Sequence, residues 1–170
     1  MRRRPMLRTF AALAFSLVAS TALALEEGDR APDFEARSVV GDAEVALHAM
    51  RGKVVLVDFW ASWCTPCQAA MPQLEKISKE FPADRFVVLG VNVDKKLEDA
   101  RKALAKRPVS YLNASDPTGM LPKRFGLETM PTTYLIDETG VVRLVHRGYR
   151  NGDMDEIRKH VQRLLDKKKS

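Results

Sequence analysis

The chain contains only two cysteines, and they stand three positions apart in Trp63-Cys64-Thr65-Pro66-Cys67. The continuous apolar run from Val54 to Trp60 precedes them and reads as a β-strand buried on both faces. The segment Gln68 to Phe81 follows and reads as a helix. A dithiol at a strand-to-helix junction narrows both the fold and the chemistry. A bridge that encloses only two residues removes little freedom from the unfolded chain, because that gain grows with loop length. A zinc site would need two more ligands at matching spacing, and His48, His146 and His160 are scattered. No metal is therefore expected, and no cofactor beyond the dithiol itself. Thiol exchange remains. At a helix start the unpaired amides and the macrodipole favour a thiolate, which makes Cys64 the expected nucleophile. Cys67 falls on the same face of the first turn, deeper, where it can resolve a mixed disulfide. Pro66 suits that turn, where its missing N–H is harmless.

The first 24 residues read as a secretory signal peptide. Arg2, Arg3, Arg4 and Arg8 precede a small and apolar stretch, and Ala22-Leu23-Ala24 has the pattern of a cleavage site. The competing reading is an uncleaved membrane anchor, for which the apolar stretch is short. Removing four arginines and no acid lowers the formal charge from +6 to +2. The basic balance of the full chain thus gives no case for nucleic acid as a partner. Residues 25–170 form the expected single domain, since no linker, repeat or low-complexity tract divides them.

Along that domain, Phe34–Val39 and Glu44–Leu47 flank Gly41-Asp42 as a hairpin. The first helix is expected from about Cys64 to Glu80, kinked at Pro72. Phe86–Val93 reads as a second buried strand, Lys95–Lys106 as an amphipathic helix and Tyr111–Asn113 as a short strand. Gly119–Phe125 reads as a short helix ended by Gly126. Thr132–Ile136 and Val141–His146 form a second hairpin, and Met154–Lys167 a closing helix. Strands alternating with helices predict a three-layer α/β/α domain with a central mixed sheet and an N-terminal hairpin extension.

Asp58 is the one charged residue inside the first buried strand. Such a carboxylate either lies at a strand end beside a capping partner or is buried with a raised pKa. Pro131 reads as a turn proline before a strand, and Trp60 and Trp63 as core aromatics, when each is taken alone.

Read together, these segments resemble a known family. Val57-Asp58-Phe59-Trp60-Ala61-Ser62-Trp63-Cys64-Thr65-Pro66-Cys67 is similar to the active-site strand and motif of thioredoxins. Phe125-Gly126-Leu127-Glu128-Thr129-Met130-Pro131-Thr132 is similar to the loop that carries their cis-proline. With Ala31-Pro32-Asp33-Phe34, Met71-Pro72-Gln73-Leu74 and Tyr134-Leu135-Ile136-Asp137, the chain resembles the TlpA/ResA-like exported disulfide reductases. The resemblance implies a thioredoxin-like fold and a thiol-disulfide oxidoreductase. It implies that Asp58 takes the proton of Cys67, and that Pro131 is cis, with the Met130 backbone pairing with substrate. Trp63, Thr65 and Pro66 would contact that substrate, while Trp60 packs beneath. Many members carry Asn at the position of Asp58, so Asp58 departs toward plain thioredoxin. That leaves a part for Glu98, Glu128 or another acid open. The long interval between Cys67 and Pro131 implies an inserted strand–helix element within Asp94–Met120. Implied partners are disulfide-bearing exported proteins and a membrane or periplasmic electron donor, with a monomer acting in the periplasm. Two other activities compete. A thiol peroxidase shares Ala-Pro-Asp-Phe, but it needs Thr and Pro upstream of its cysteine, where Phe59, Trp60 and Ala61 stand. A copper-handling protein of the same fold would resemble C-x3-C, against C-x2-C here.

Overall fold

The computed structural model describes residues 24–167, so the predicted signal segment lies outside the described residues except for Ala24. Among the described residues, no helix is long and apolar enough to cross a membrane. Seven strands form one mixed sheet: β1 (Glu35–Ser38), β2 (Glu44–Ala46), β3 (Val54–Trp60), β4 (Phe86–Asn92), β5 (Leu112–Ser115), β6 (Thr132–Ile136) and β7 (Val142–Arg147). The α-helices among the described residues are α1 (Thr65–Glu80), α2 (Leu97–Lys106), α3 (Met120–Arg124) and α4 (Asp153–Lys167). The sheet order is β2-β1-β5-β4-β3-β6-β7. Strands β3, β4 and β5 run parallel, and β1, β6 and β7 pair antiparallel with their neighbours.

All seven residues of β3 are buried, as a strand covered on both faces requires. Its side chains alternate between two layers. Val55, Val57 and Phe59 enter one core, shared with Leu121 and Phe125 of the α3 region and with Leu25, Phe34 and Leu47 of the lead-in. Val54 and Leu56 enter the other, against Ala70, Leu74 and Ile77 of α1 and Ile157 and Val161 of α4. Trp60 continues that second face into a cluster with Cys67, Met71 and Leu104. The three layers are therefore unequal. One helical layer is thick, and the other is a five-residue helix completed by the extended lead-in.

The predicted elements appear with shifted ends. The first helix begins at Thr65, with Cys64 outside it in an extended N-cap conformation. It continues unbroken through Pro72. The short strand expected at Tyr111–Asn113 is β5 at Leu112–Ser115, and with α2 it occupies the stretch where an inserted element was expected. Strand β5 lies between β4 and β1, so the N-terminal hairpin is joined to the sheet through the inserted strand.

Phe125 is the hub of the thinner layer. It is fully buried, with Phe59 at 5.1 Å, Tyr134 at 5.3 Å and Phe34 at 6.2 Å between ring centroids, all edge-on. The Tyr134 hydroxyl donates to the Phe125 carbonyl at 3.2 Å. Phe125 thus links the lead-in, the strand before the cysteines and the strand after Pro131. Phe125→Ala is expected to cost about 3–5 kcal/mol in urea denaturation. A loss below about 1 kcal/mol would show that this layer does not depend on the ring.

Candidate active site

Helix α1 begins where β3 leaves the sheet, and the cysteines occupy that junction. Cys64 is the N-cap, and its sulfur accepts the Cys67 amide at 3.3 Å, taking one of the donors that every helix start leaves open. The two sulfurs are bonded, with Cα atoms 5.3 Å apart. They are not equivalent. Cys64 lines a surface groove, whereas Cys67 is fully buried and its sulfur lies 3.9 Å from the Phe59 carbonyl. An incoming sulfur can reach Cys64 from the groove. In the reduced state, amides and dipole at the helix start favour a thiolate at that same sulfur.

The groove measures about 590 Å³ and is bordered by Trp63, Pro66, Val93, Leu127 and Met130, with Glu128 and Thr129 at its rim. Trp63 is 67% exposed, so it is a surface aromatic beside the cysteines, while Trp60 is buried beneath them. Thr65 and Pro66 are also exposed. The Met130–Pro131 peptide bond is cis, as the resemblance implies. Pro131 is buried and its carbonyl accepts the Gly148 amide at 2.7 Å. The Met130 amide and carbonyl carry no backbone hydrogen bond to another described residue. An extended segment in the groove can use them as a strand edge does. Of the two acids named above, Glu128 borders the groove, whereas Glu98 pairs with Arg101 on α2 at 2.9 Å.

Asp58 lies between Leu56 and Trp60 on the face of β3 that meets α1. It is buried and accepts a hydrogen bond from the Thr133 hydroxyl at 2.8 Å. Desolvation dominates over that bond and raises its pKa to about 7. The strand-end reading of Asp58 is thereby set aside, since β3 continues through Phe59 and Trp60. A carboxyl with this pKa can hold or release a proton near neutrality in the layer that also contains Cys67.

Sequence reasoning missed the residues that fix the turn between β3 and α1. The Asp94 carboxylate accepts both the amide and the hydroxyl of Ser62, each at 2.9 Å. The Asn92 side-chain amide donates to Asp94 at 2.7 Å and its carbonyl oxygen accepts the Asp94 amide at 3.1 Å. Gln68 donates to the Ser62 carbonyl and accepts from Arg107 at 2.6 Å. One available signal was position: Asn92 and Asp94 end an apolar parallel strand at its carboxyl end, where open α/β sheets carry their sites.

The burial of Asp58 has a consequence for stability. The folded chain keeps the carboxyl protonated up to about pH 7, while an unfolded chain releases the proton near its ordinary value of 3.8. The stabilising effect of that proton is complete in acid and is lost as pH rises through 7. Asp58→Asn keeps an acceptor for Thr133 and carries no charge. The oxidised variant is expected to exceed the wild type by about 3–4 kcal/mol at pH 9, and by less than about 1 kcal/mol at pH 4, in urea denaturation. A difference that does not change with pH would contradict the burial argument.

The Redoxin family profile matches residues 26–161. The chain is 35% identical to the thioredoxin-like protein YneN of Bacillus subtilis over 73% of each chain. It is 28% identical to the thiol-disulfide oxidoreductase ResA of Geobacillus thermodenitrificans, over 96% of this chain and 94% of ResA. Among solved structures it is similar to a Chlorobium tepidum protein assigned as a thiol:disulfide interchange protein DsbE. The identity there is 39% and the TM-score 0.79, over 84% of this chain and 99% of that one. With a cysteine pair at the start of α1 and Met130, the residue before the cis-proline, lining the same groove, the chain belongs to the Redoxin family, as a thiol-disulfide oxidoreductase of the thioredoxin-like TlpA/ResA kind.

Proposed function

We propose that this chain is exported to the periplasm and there reduces disulfides in exported proteins. The observation that carries the proposal is the asymmetry of the cysteine pair. Cys64 opens on an apolar groove, and Cys67 is closed off in the layer of a buried acid. In the reduced state the Cys64 thiolate attacks one sulfur of a substrate disulfide. That bond breaks, the first substrate sulfur leaves as a thiolate, and a mixed disulfide forms on Cys64. Cys67 then gives its proton to the Asp58 carboxylate and attacks the Cys64 sulfur. The second substrate thiolate leaves, and the Cys64–Cys67 disulfide forms. Two electrons have passed from the dithiol to the substrate, and the Asp58 proton is available to a departing thiolate.

The substrate lies extended along the groove, against Trp63, Thr65 and Pro66, and pairs with the backbone of Met130 before Pro131. The uncommitted Met130 amide and carbonyl support this docking. Export is supported by the order of charged, apolar and small residues in the first 24 positions. An oxidising compartment does not recharge a reductant, so a membrane or periplasmic donor must return two electrons per cycle. The Thr65-Pro66 dipeptide between the cysteines resembles reducing members of the family, which supports the reducing direction.

Three measurements test this reading. Cys64→Ser is expected to abolish insulin reduction, and Cys67→Ser to accumulate exported proteins as mixed disulfides on Cys64, identified by mass spectrometry. An active wild type whose Cys67→Ser form leaves Cys64 unoccupied would overturn the assignment of roles. The reduction potential decides direction: a value below about −200 mV is expected, and one near about −120 mV would make the protein an oxidant.

A further inference from the structure

One row of residues crosses four strands on the α1 side of the sheet. Thr133 on β6 is opposite Asp58 on β3, Asp58 is opposite Gly90 on β4, and Gly90 is opposite Asn113 on β5. Thr133 meets Asp58 directly. Asn113 comes from the other direction and uses the space that Gly90 leaves. A Cβ at position 90 would stand 2.1 Å from Asn113 Oδ1 and 3.0 Å from Trp60 Nε1. Any side chain there would displace the amide. Because none is present, Asn113 Oδ1 reaches the active-site strand and accepts the Trp60 indole N–H at 2.9 Å. Its Nδ2 donates to the Tyr111 carbonyl at 3.0 Å, so both ends of the buried amide are engaged.

We propose that Asn113, carried by the inserted strand β5, is a positioning residue of the thiol-disulfide site: by reaching over Gly90 to hold Trp60, it keeps the Asp58 compartment closed to water. The inference rests on Asp58 being the acceptor of the Cys67 proton, as proposed above. Trp60 is the next residue after Asp58 on this face and packs with Cys67 and Met71. Its orientation therefore sets how much of the carboxyl is screened. Among the described residues, none of the groups that shift Asp58 is a cation. Strand β6 offers the Thr133 hydroxyl and β4 offers only Gly90. Helix α1 brings Cys67 and, further along, Glu75. Helix α4 brings the apolar Met154, Ile157 and Val161 to the neighbouring core. The segment before β5 brings Tyr111, whose phenol is raised by burial and then by the charges of Asp58 and Glu75. With no positive partner at hand, the acid depends on exclusion of water for its raised value. Behind Asn113 a cleft of about 610 Å³, lined by Arg101, Leu104, Val109 and Tyr111, opens to solvent. Truncating Asn113 joins that cleft to the Gly90 slot and admits water toward Asp58.

The test is the titration of the Asp58 carboxyl carbon by 13C NMR in the oxidised full chain, for the wild type, Asn113→Ala and Trp60→Phe. Trp60→Phe leaves Asn113 in place and keeps an aromatic ring, but removes the donor together with part of the indole volume. Both variants are expected to titrate lower than the wild type by about one pH unit. In Asn113→Ala the Trp60 indole proton should also lose the shift that marks its hydrogen bond. Amide spectra establish that each variant is folded. Midpoints within about 0.2 of the wild type in the folded variants would overturn the inference and leave Asn113 a packing residue. The proton-acceptor reading fails separately, if the exchange rate of the wild type has no pH-dependent step that Asp58→Asn removes. The carboxyl midpoint judges Asn113 without reference to that rate.

Discussion

A carboxyl group inside an apolar layer is unfavourable unless something compensates for the lost water, and this structure maintains one between Leu56 and Trp60. The single hydrogen bond from Thr133 is too little to keep Asp58 ionised at low pH, so desolvation prevails. Burying a polar group with incomplete pairing costs about 1–3 kcal/mol, comparable to what one buried Val or Leu of β3 contributes. The cost is offset by the packing around it. Helix α1 covers Asp58 from above and at the same time brings Cys67 to the same layer. The position of the acid, the complete burial of Cys67 and the place of Cys64 in the groove wall follow from one packing arrangement.

The start of α1 then divides the work. Its N-cap sulfur faces a groove walled by Trp63 and Met130, while the sulfur one turn later is shut inside. Asp94 and Asn92 hold the connecting turn through Ser62, so the cap is fixed from β4 as well as from its own helix. Met130, which precedes the cis bond to Pro131, lines the same groove. Each feature lies at the carboxyl end of β3 or β4 or at the entry to β6, where the parallel strands leave room for a ligand.

How much of this was legible in the sequence depended on how far the partners lie apart. Strand β3 and helix α1 were readable, because an unbroken apolar run and helical spacing are local signals. Asp58 was conspicuous as the only charge in that run, and the cysteine spacing marked the helix start. The joining of elements was not readable. Ser62 finds Asp94 32 positions later, and Trp60 finds Asn113 53 positions later, across a strand order that no periodicity encodes. Gly90 carries no local signal of its role, which depends on the approach of Asn113 from β5. The thin layer was also hidden. Its covering comes largely from the lead-in, whose Leu25, Ala31 and Phe34 have no regular spacing to announce burial.

The account turns on Asp58 accepting the proton of Cys67. The direct measurement is the single-turnover rate at which a mixed disulfide on Cys64 is resolved, followed from pH 5 to 9. The wild-type rate should rise about tenfold per pH unit and level off near pH 7, where the carboxyl becomes ionised. Asp58→Asn should resolve about 10²-fold more slowly at the plateau and lack that step. An Asp58→Asn profile that overlays the wild type would contradict the account.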